Sequence, residues 1–369
     1  MLISIKRLSF CASFLLVLLI CCHTASAVQE MAVLEEHSIA SESLIVTENI
    51  NAAEVLPVTS TEQVVTVKKS VLGCLEGITI LPQDEVWFVN ARGYTSGETD
   101  LSCIPVYQLI DSDLAPRDLS TLMTLHESGD DLSTVLYVHG NQTDEEFAIA
   151  RGLQVYRNSL TTKADCRGPV RYIIWAWKSE QEKTRLYPDY KIKSERSLHV
   201  GETFASTLNQ FSDRNLVILG YSLGVQVVLS AFDSPNLDPR MDDPTHYQVM
   251  FAAPAINAKF VACNSLRTNC KNSPVENSVV FTNRKDRAIR AAQAIIRREN
   301  PYDKATTIAG LSQAGKLDVG NVSEVDVFEE TGRFHSIERY TRSETLQNVM
   351  INFVNTVSAN KTAAIAIAK

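Results

Sequence analysis

Asn215-Leu216-Val217-Ile218-Leu219-Gly220-Tyr221-Ser222-Leu223-Gly224-Val225-Gln226-Val227-Val228-Leu229 is the stretch that decides how this chain is read. Asn215–Leu219 is a short apolar run of strand type, and Val225–Phe232 is an apolar run of helical length. Between them lies a G-x-S-x-G, Gly220 to Gly224. A strand that turns sharply into a helix holds its central serine in a strained conformation, with the hydroxyl exposed at the helix N-terminus. Small flanking residues are needed because neighbouring backbone passes close. The same pentapeptide in an ordinary turn carries no chemistry, so it is the strand before and the helix after that mark Ser222 as a nucleophile.

Outward from this turn, strand-like and helix-like runs alternate, the pattern of a mostly parallel sheet covered by helices on both faces. Upstream, strands are expected at Glu85–Asn90, Ile104–Ile110, Thr134–His139 and Arg171–Trp177, with helices at about Asp144–Leu160 and Glu195–Gln210. Thr143 with Glu146 three residues later forms a capping box for the first helix. Downstream, strands at Tyr247–Ala252, Ser278–Thr282 and Val325–Phe328 interleave with helices at Arg287–Arg298 and Ser343–Val357. The Ala/Ile-rich residues after Asn360 read as a frayed tail.

A serine hydroxyl attacks well only when a base takes its proton, and histidine has the pKa for that task near neutral pH. Of seven histidines, His23 and His37 lie far upstream, and His126, His199 and His246 fall in or beside loops and helices suited to structural roles. His335, in Gly332-Arg333-Phe334-His335-Ser336 after the last expected strand, is the base the chain order serine, acid, histidine requires. The acid belongs on the loop after Ser278–Thr282, where Asn283-Arg284-Lys285-Asp286-Arg287 supplies Asp286. Asp286 also stands where a helix cap belongs, and it serves both ends only if its two oxygens divide between the helix and His335. Glu329 and Glu330 are the fallback acids, although they lie close to His335 in sequence. For an oxyanion, the backbone N–H of Leu223 is one donor, and the loop His139-Gly140-Asn141-Gln142 supplies the other, Asn141 first and Gln142 next. His139 itself reads as a hydrogen-bonding support beneath that loop.

At these residues the chain resembles the α/β-hydrolase superfamily, and more narrowly a bacterial family of uncharacterised exported α/β-hydrolase-like proteins. The similarity spans roughly Glu85 to Val357. It is carried by Leu136-Tyr137-Val138-His139-Gly140-Asn141, Trp177-Lys178-Ser179, the serine turn, Ala252-Ala253-Pro254, Lys285-Asp286-Arg287-Ala288-Ile289 and Phe334-His335-Ser336. The resemblance implies the α/β-hydrolase fold and a triad of Ser222, Asp286 and His335. Two departures stand out. The narrower family often has an acid shortly after Ala-Ala-Pro, where this chain has Ala255-Ile256-Asn257, which favours Asp286. It also tends to have Trp-Pro-Ser where this chain has Trp177-Lys178-Ser179, a change in the wall of the expected pocket.

The chain opens like an export signal: Lys6 and Arg7, an apolar run from Phe10 to Cys22, then Ala25-Ser26-Ala27 as a cleavage site. That run is shorter than the roughly 20 residues that span a bilayer, so no stable membrane span is expected after cleavage. Loss of residues 1–27 takes the formal charge from −8 to −10 with Lys6 and Arg7, a balance that argues against nucleic acid as the main partner. The product is periplasmic or extracellular. Residues 28–68 form an acidic linker or propeptide without Lys, Arg or Gly before Lys68, residues 69–358 form the α/β-hydrolase domain, and residues 359–369 form a C-terminal tail.

Five cysteines follow the signal, and export permits disulfides; Cys74 with Cys103 and Cys263 with Cys270 are the pairings their positions suggest, leaving Cys166. No C-x-x-C or H-E-x-x-H spacing occurs, and neither a metal nor a cofactor is expected. The expected partner is an acyl substrate, and no feature identifies a protein partner. The expected activity is that of an esterase-like serine hydrolase. A peptidase, amidase or thioesterase would use the same residues, and a catalytically silent binding protein of the cell envelope is the rival from another class.

Overall fold

The computed structural model describes residues 79–127, 131–211, 215–238, 247–257, 275–299, 309–311 and 322–368. The expectations for the export signal, the acidic segment, Cys74, His246, Cys263 and Cys270 lie outside these residues.

Runs of β-branched and aromatic residues that are apolar at every position suit strands buried on both faces, as a parallel sheet covered by helices requires. The described residues build such a sheet from β1 (Glu85–Asn90), β2 (Val106–Ile110), β3 (Asp113–Arg117), β4 (Ser133–Val138), β5 (Val170–Ala176), β6 (Leu216–Tyr221), β7 (Tyr247–Ala252), β8 (Val275–Thr282) and β9 (Val322–Asp326). The order across the sheet is β3-β2-β1-β5-β4-β6-β7-β8-β9. From β1 to β9 every pair is parallel, whereas β2 and β3 add antiparallel at one edge. The helices are α1 (Leu119–Glu127), α2 (Glu145–Tyr156), α3 (Leu186–Asn209), α4 (Gly224–Asp233), α5 (Arg287–Glu299), α6 (Phe328–Thr331), α7 (Ile337–Arg342) and α8 (Glu344–Ala368).

Alternation along each strand divides the core in two. Trp87, Leu136, Val138, Ile173, Trp175 and Ile218 point to one face, where Leu122 of α1, Phe204 of α3, Val228 of α4 and Ile289 of α5 cover them. Phe88, Val135, Tyr137, Tyr172, Val217 and Leu219 point to the other, under Leu153 of α2, Tyr340 of α7 and Met350 of α8. Each fully buried side chain of this kind contributes about 1.5–3 kcal/mol relative to exposure. That makes β4, β5 and β6 a rigid platform from whose C-terminal ends the loops depart.

Several local expectations shift. The strand expected at Ile104–Ile110 is β2, and β3 is additional, joined to it by Asp111 and Ser112, both at positive φ, 49° and 71°, as the two-residue turn of a right-twisted hairpin demands. Pro116 is accommodated because β3 is the edge strand. The cap of α2 is Asp144 rather than Thr143, since Asp144 Oδ1 accepts from Phe147 N at 2.8 Å while the Thr143 hydroxyl turns back to Asn141 O at 3.1 Å. Helix α3 begins at Leu186, well before Glu195; Pro188 lies in its first turn, where no intrahelical bond is lost. The strand placed at Val325–Phe328 is β9, ending at Asp326, and Phe328 opens α6. Residues after Asn360 continue α8 to Ala368 instead of forming a tail. Alanine favours helix there, and Lys361 Nζ donates to Leu132 O at 3.0 Å. Cys103 and Cys166 are exposed and not bonded to each other, and the pairing expected for Cys103 falls on Cys74, outside the described residues.

Candidate active site

The strand β6 ends at Tyr221 and α4 begins at Gly224, so Ser222 and Leu223 alone make the turn. Ser222 is bent into the left-handed region, φ 53°, a conformation disfavoured for a residue with a Cβ. It is held by Ser222 N–H donating to Ala252 O at 3.0 Å and by Ala255 N–H donating to Ser222 O at 3.3 Å. The sequence supplies the clearance: a Cβ on Gly224 would lie 2.4 Å from the carbonyl oxygens of Val138 and His139, and one on Gly140 would lie 2.9 Å from Ser222 Cβ. Ser222 is 5% exposed, at the C-terminal edge of the sheet.

The structure brings together the three side chains singled out in the sequence. Ser222 Oγ lies 3.0 Å from His335 Nε2, and His335 Nδ1 lies 2.8 Å from Asp286 Oδ2. The second oxygen of Asp286 accepts from Ile289 N at 3.0 Å, so the carboxylate divides between capping α5 and facing the histidine. An ionised carboxylate only accepts, which puts the imidazole proton on Nδ1 and leaves a lone pair on Nε2 toward the serine hydroxyl. Burial pushes the Asp286 carboxyl up, but His335, the Ile289 N–H and the Tyr340 hydroxyl outweigh it and hold the group below the ordinary aspartate value. The loops carrying Asp286 and His335 are stitched to each other: Asn283 Nδ2 donates to Thr331 Oγ1 at 2.9 Å and to Gly332 O at 2.8 Å.

Behind the serine, the turn from His139 to Thr143 is bonded at successive carbonyls. Trp177 Nε1 donates to His139 O at 2.7 Å, and Ser179 Oγ and His139 Nδ1 both reach Gly140 O at 2.9 Å. Thr143 Oγ1 holds Asn141 O, as described above. His139 is wholly buried, stacks on Trp177 with ring centroids 5.9 Å apart, and accepts from Trp177 N at 3.1 Å through Nε2. Burial pushes its pKa down to about 3, so the ring stays neutral with its proton on Nδ1. Among the described residues, the N–H groups of Leu223 and Asn141 donate to no other protein group.

Other expected residues lie elsewhere. His126 is buried with Nδ1 3.1 Å from Thr134 Oγ1, and His199 is exposed on α3. Glu330 is engaged by Ser343 and Thr345 at the start of α8, and Glu329 approaches Arg284 at 3.5 Å. Lys178 lines a hollow of about 460 Å³ together with Arg92, Tyr94, Glu145 and Glu180, a hollow lined by none of Ser222, Asp286 and His335. Tyr221, Tyr340 and Asn283 emerge only from the structure. The Tyr221 hydroxyl donates to His335 O, its ring lies 5.2 Å from the imidazole, and the buried Tyr340 hydroxyl donates to Asp286 Oδ2 at 3.3 Å.

Among curated proteins, none matches this chain. A family model described as an alpha/beta hydrolase of unknown function (DUF900) matches residues 119–329, from the first residue of α1 to the second residue of α6. That span includes Asn141, Ser222, Leu223 and Asp286 and ends short of His335. The match covers more than half of the chain, the mostly parallel sheet is the one this fold is built on, and the chain belongs to this family of alpha/beta hydrolases of unknown function.

Proposed function

We propose that this protein is a serine hydrolase acting on carboxylic esters or related acyl compounds. The observation that carries the reading is the continuous line from Ser222 Oγ through His335 to Asp286, with bonds of 3.0 and 2.8 Å and the serine at a positive φ. In this reaction Ser222 Oγ attacks the substrate carbonyl carbon as its proton passes to His335 Nε2. Asp286 keeps the second imidazole proton on Nδ1 and stabilises the imidazolium that forms. The N–H groups of Leu223 and Asn141 receive the negative charge on the former carbonyl oxygen. His335 then gives the proton to the departing alkoxide, and the acyl group remains on Ser222. Water repeats the sequence: its proton goes to His335, its oxygen forms the acid, and Ser222 regains the proton. No step calls for a cofactor, and the protein acts after export.

The test is covalent labelling of the purified chain by a fluorophosphonate, with Ser222→Ala and His335→Ala alongside. Wild type should label on Ser222, Ser222→Ala should not label at all, and His335→Ala should label at least about 10³-fold more slowly. Undiminished labelling of Ser222→Ala would sink the assignment. A folded wild type that neither labels nor cleaves activated esters would favour a binding protein built on the same fold.

A further inference from the structure

We propose that Ser179, on the loop after β5, is a positioning residue that sets the Asn141 N–H for the oxyanion. The proposal rests on the acyl-transfer reading above. The C=O and N–H of a trans peptide point in opposite directions, and among the described residues no peptide bond is cis. Fixing the Gly140 carbonyl therefore fixes the Asn141 N–H. Ser179 is fully buried, and its Oγ lies 2.9 Å from Gly140 O, closer than to the alternative acceptor Thr143 O at 3.2 Å, so its hydroxyl holds the Gly140 carbonyl. His139 Nδ1–H reaches the same oxygen from its own residue.

Ser179 also grips the far end of the turn. Thr143 N–H lies 3.3 Å from both Ser179 O and Ser179 Oγ, so one residue brackets Gly140 through Thr143 from outside. Gly140 in turn packs on Ser222, where an added Cβ would come within 2.9 Å of the serine Cβ. The residue whose carbonyl Ser179 holds is thus the one packed on Ser222, and the N–H of the peptide it begins is unengaged among the described residues. The hydrogen bonds of Ser179 go to Gly140, Thr143 and His139 and to neither Ser222 nor His335, so its effect on rate travels through the turn it holds. Lys178, its neighbour, lines the separate hollow, and the two adjacent residues thus serve different places.

The experiment measures p-nitrophenyl butyrate hydrolysis by the full chain for wild type, Ser179→Ala and Ser179→Thr, with fluorophosphonate labelling of each. A misplaced donor costs rate about as a 1 Å misalignment does, so kcat of Ser179→Ala should fall about 10- to 100-fold. KM should stay within about 3-fold, and the midpoint of the pH–rate profile should not move, because His335 and Asp286 are untouched. Ser179→Thr keeps the hydroxyl and should recover most of kcat. An unchanged kcat in Ser179→Ala overturns the proposal, and so does a fall accompanied by a displaced pH midpoint, which marks a disturbed triad. Where Ser179→Ala loses its thermal unfolding transition, Ser179→Thr decides: a fall as deep as that of Ala overturns the proposal. Wild type that fails to label, or labelling that survives Ser222→Ala, instead overturns the acyl-transfer reading itself.

Discussion

Acid should weaken this protein through one histidine that never touches the proposed substrate. His139 is wholly buried and its pKa is pushed down to about 3 by burial, against about 6.5 when the chain is unfolded. Its contribution is therefore complete above pH about 6.5 and is lost as pH falls toward the folded value, at about 1.4 kcal/mol per pH unit. Between pH 7.5 and 4.5 the loss attributable to this group is about 2–3 kcal/mol. His139→Gln removes the titration while offering an amide oxygen to Trp177 N–H and an amide N–H to Gly140 O, the two bonds the ring now makes. The stack on Trp177 is lost, so the variant is less stable at neutral pH, but that cost does not vary with pH. Urea unfolding followed by fluorescence of the buried tryptophans at pH 7.5, 6.0 and 4.5 measures both proteins. Wild type should lose about 2–3 kcal/mol more than His139→Gln across the range. His126 is present in both and cancels. If the gap between the proteins is the same at pH 7.5 and 4.5 within about 0.5 kcal/mol, the assigned neutral, doubly bonded ring is wrong.

Asp286→Asn retains an oxygen for Ile289 N–H but turns an amide toward His335 Nδ1, favouring the tautomer whose Nε2 already carries a proton; kcat at neutral pH should fall by about 10³- to 10⁴-fold. Because the wild-type carboxyl is held below its ordinary value, its stabilisation is present above pH about 4 and lost on further acidification, and this acid-dependent loss should be absent in the variant. A variant with near wild-type kcat would remove Asp286 from the machinery. Gly224→Ala forces a Cβ within 2.4 Å of two backbone carbonyls that cannot rotate aside, and should cost about 1–3 kcal/mol or more in chemical unfolding and nearly all fluorophosphonate labelling. Intact stability and labelling would mean that α4 does not abut the end of β4 so closely.

The serine turn was legible because three signals coincide within 15 residues: an apolar strand, two glycines and an apolar helix. Asp286 and His335 were legible by their order and by the strands before them. The α/β architecture was legible in the alternation of strand-like and helix-like runs. Ser179 stood out as part of a shared tripeptide, but its bond to Gly140 joins residues 39 apart, and nothing in either neighbourhood encodes it. The same holds for Tyr221 on His335, 114 residues away, and Tyr340 on Asp286, 54 away. Local chemistry misled at Thr143 and Asp144, two adjacent residues both fit to cap a helix, between which only the demand of the Asn141 carbonyl chooses. Strand β3 has no such local signal, because Asp111 and Ser112 adopt positive φ without a glycine to announce the turn.

At the opposite edge of the sheet, the N-terminal ends of β1 and β5 are tied by Asp84. Its carboxylate receives Arg167 Nη1 at 2.9 Å, the Tyr156 hydroxyl at 2.7 Å and Val170 N at 3.0 Å. Ser222, Asp286, His335 and the 139–143 turn all hang from C-terminal ends instead. The fold thus divides labour between its two rims, and an engineer inherits that division. If the proposed acyl transfer holds, loops at the rim that carries Ser222 can be randomised to change substrate range while the Asp84 cluster keeps the strands in register, and stabilising substitutions around Asp84 can be accumulated beforehand as a reserve of tolerance.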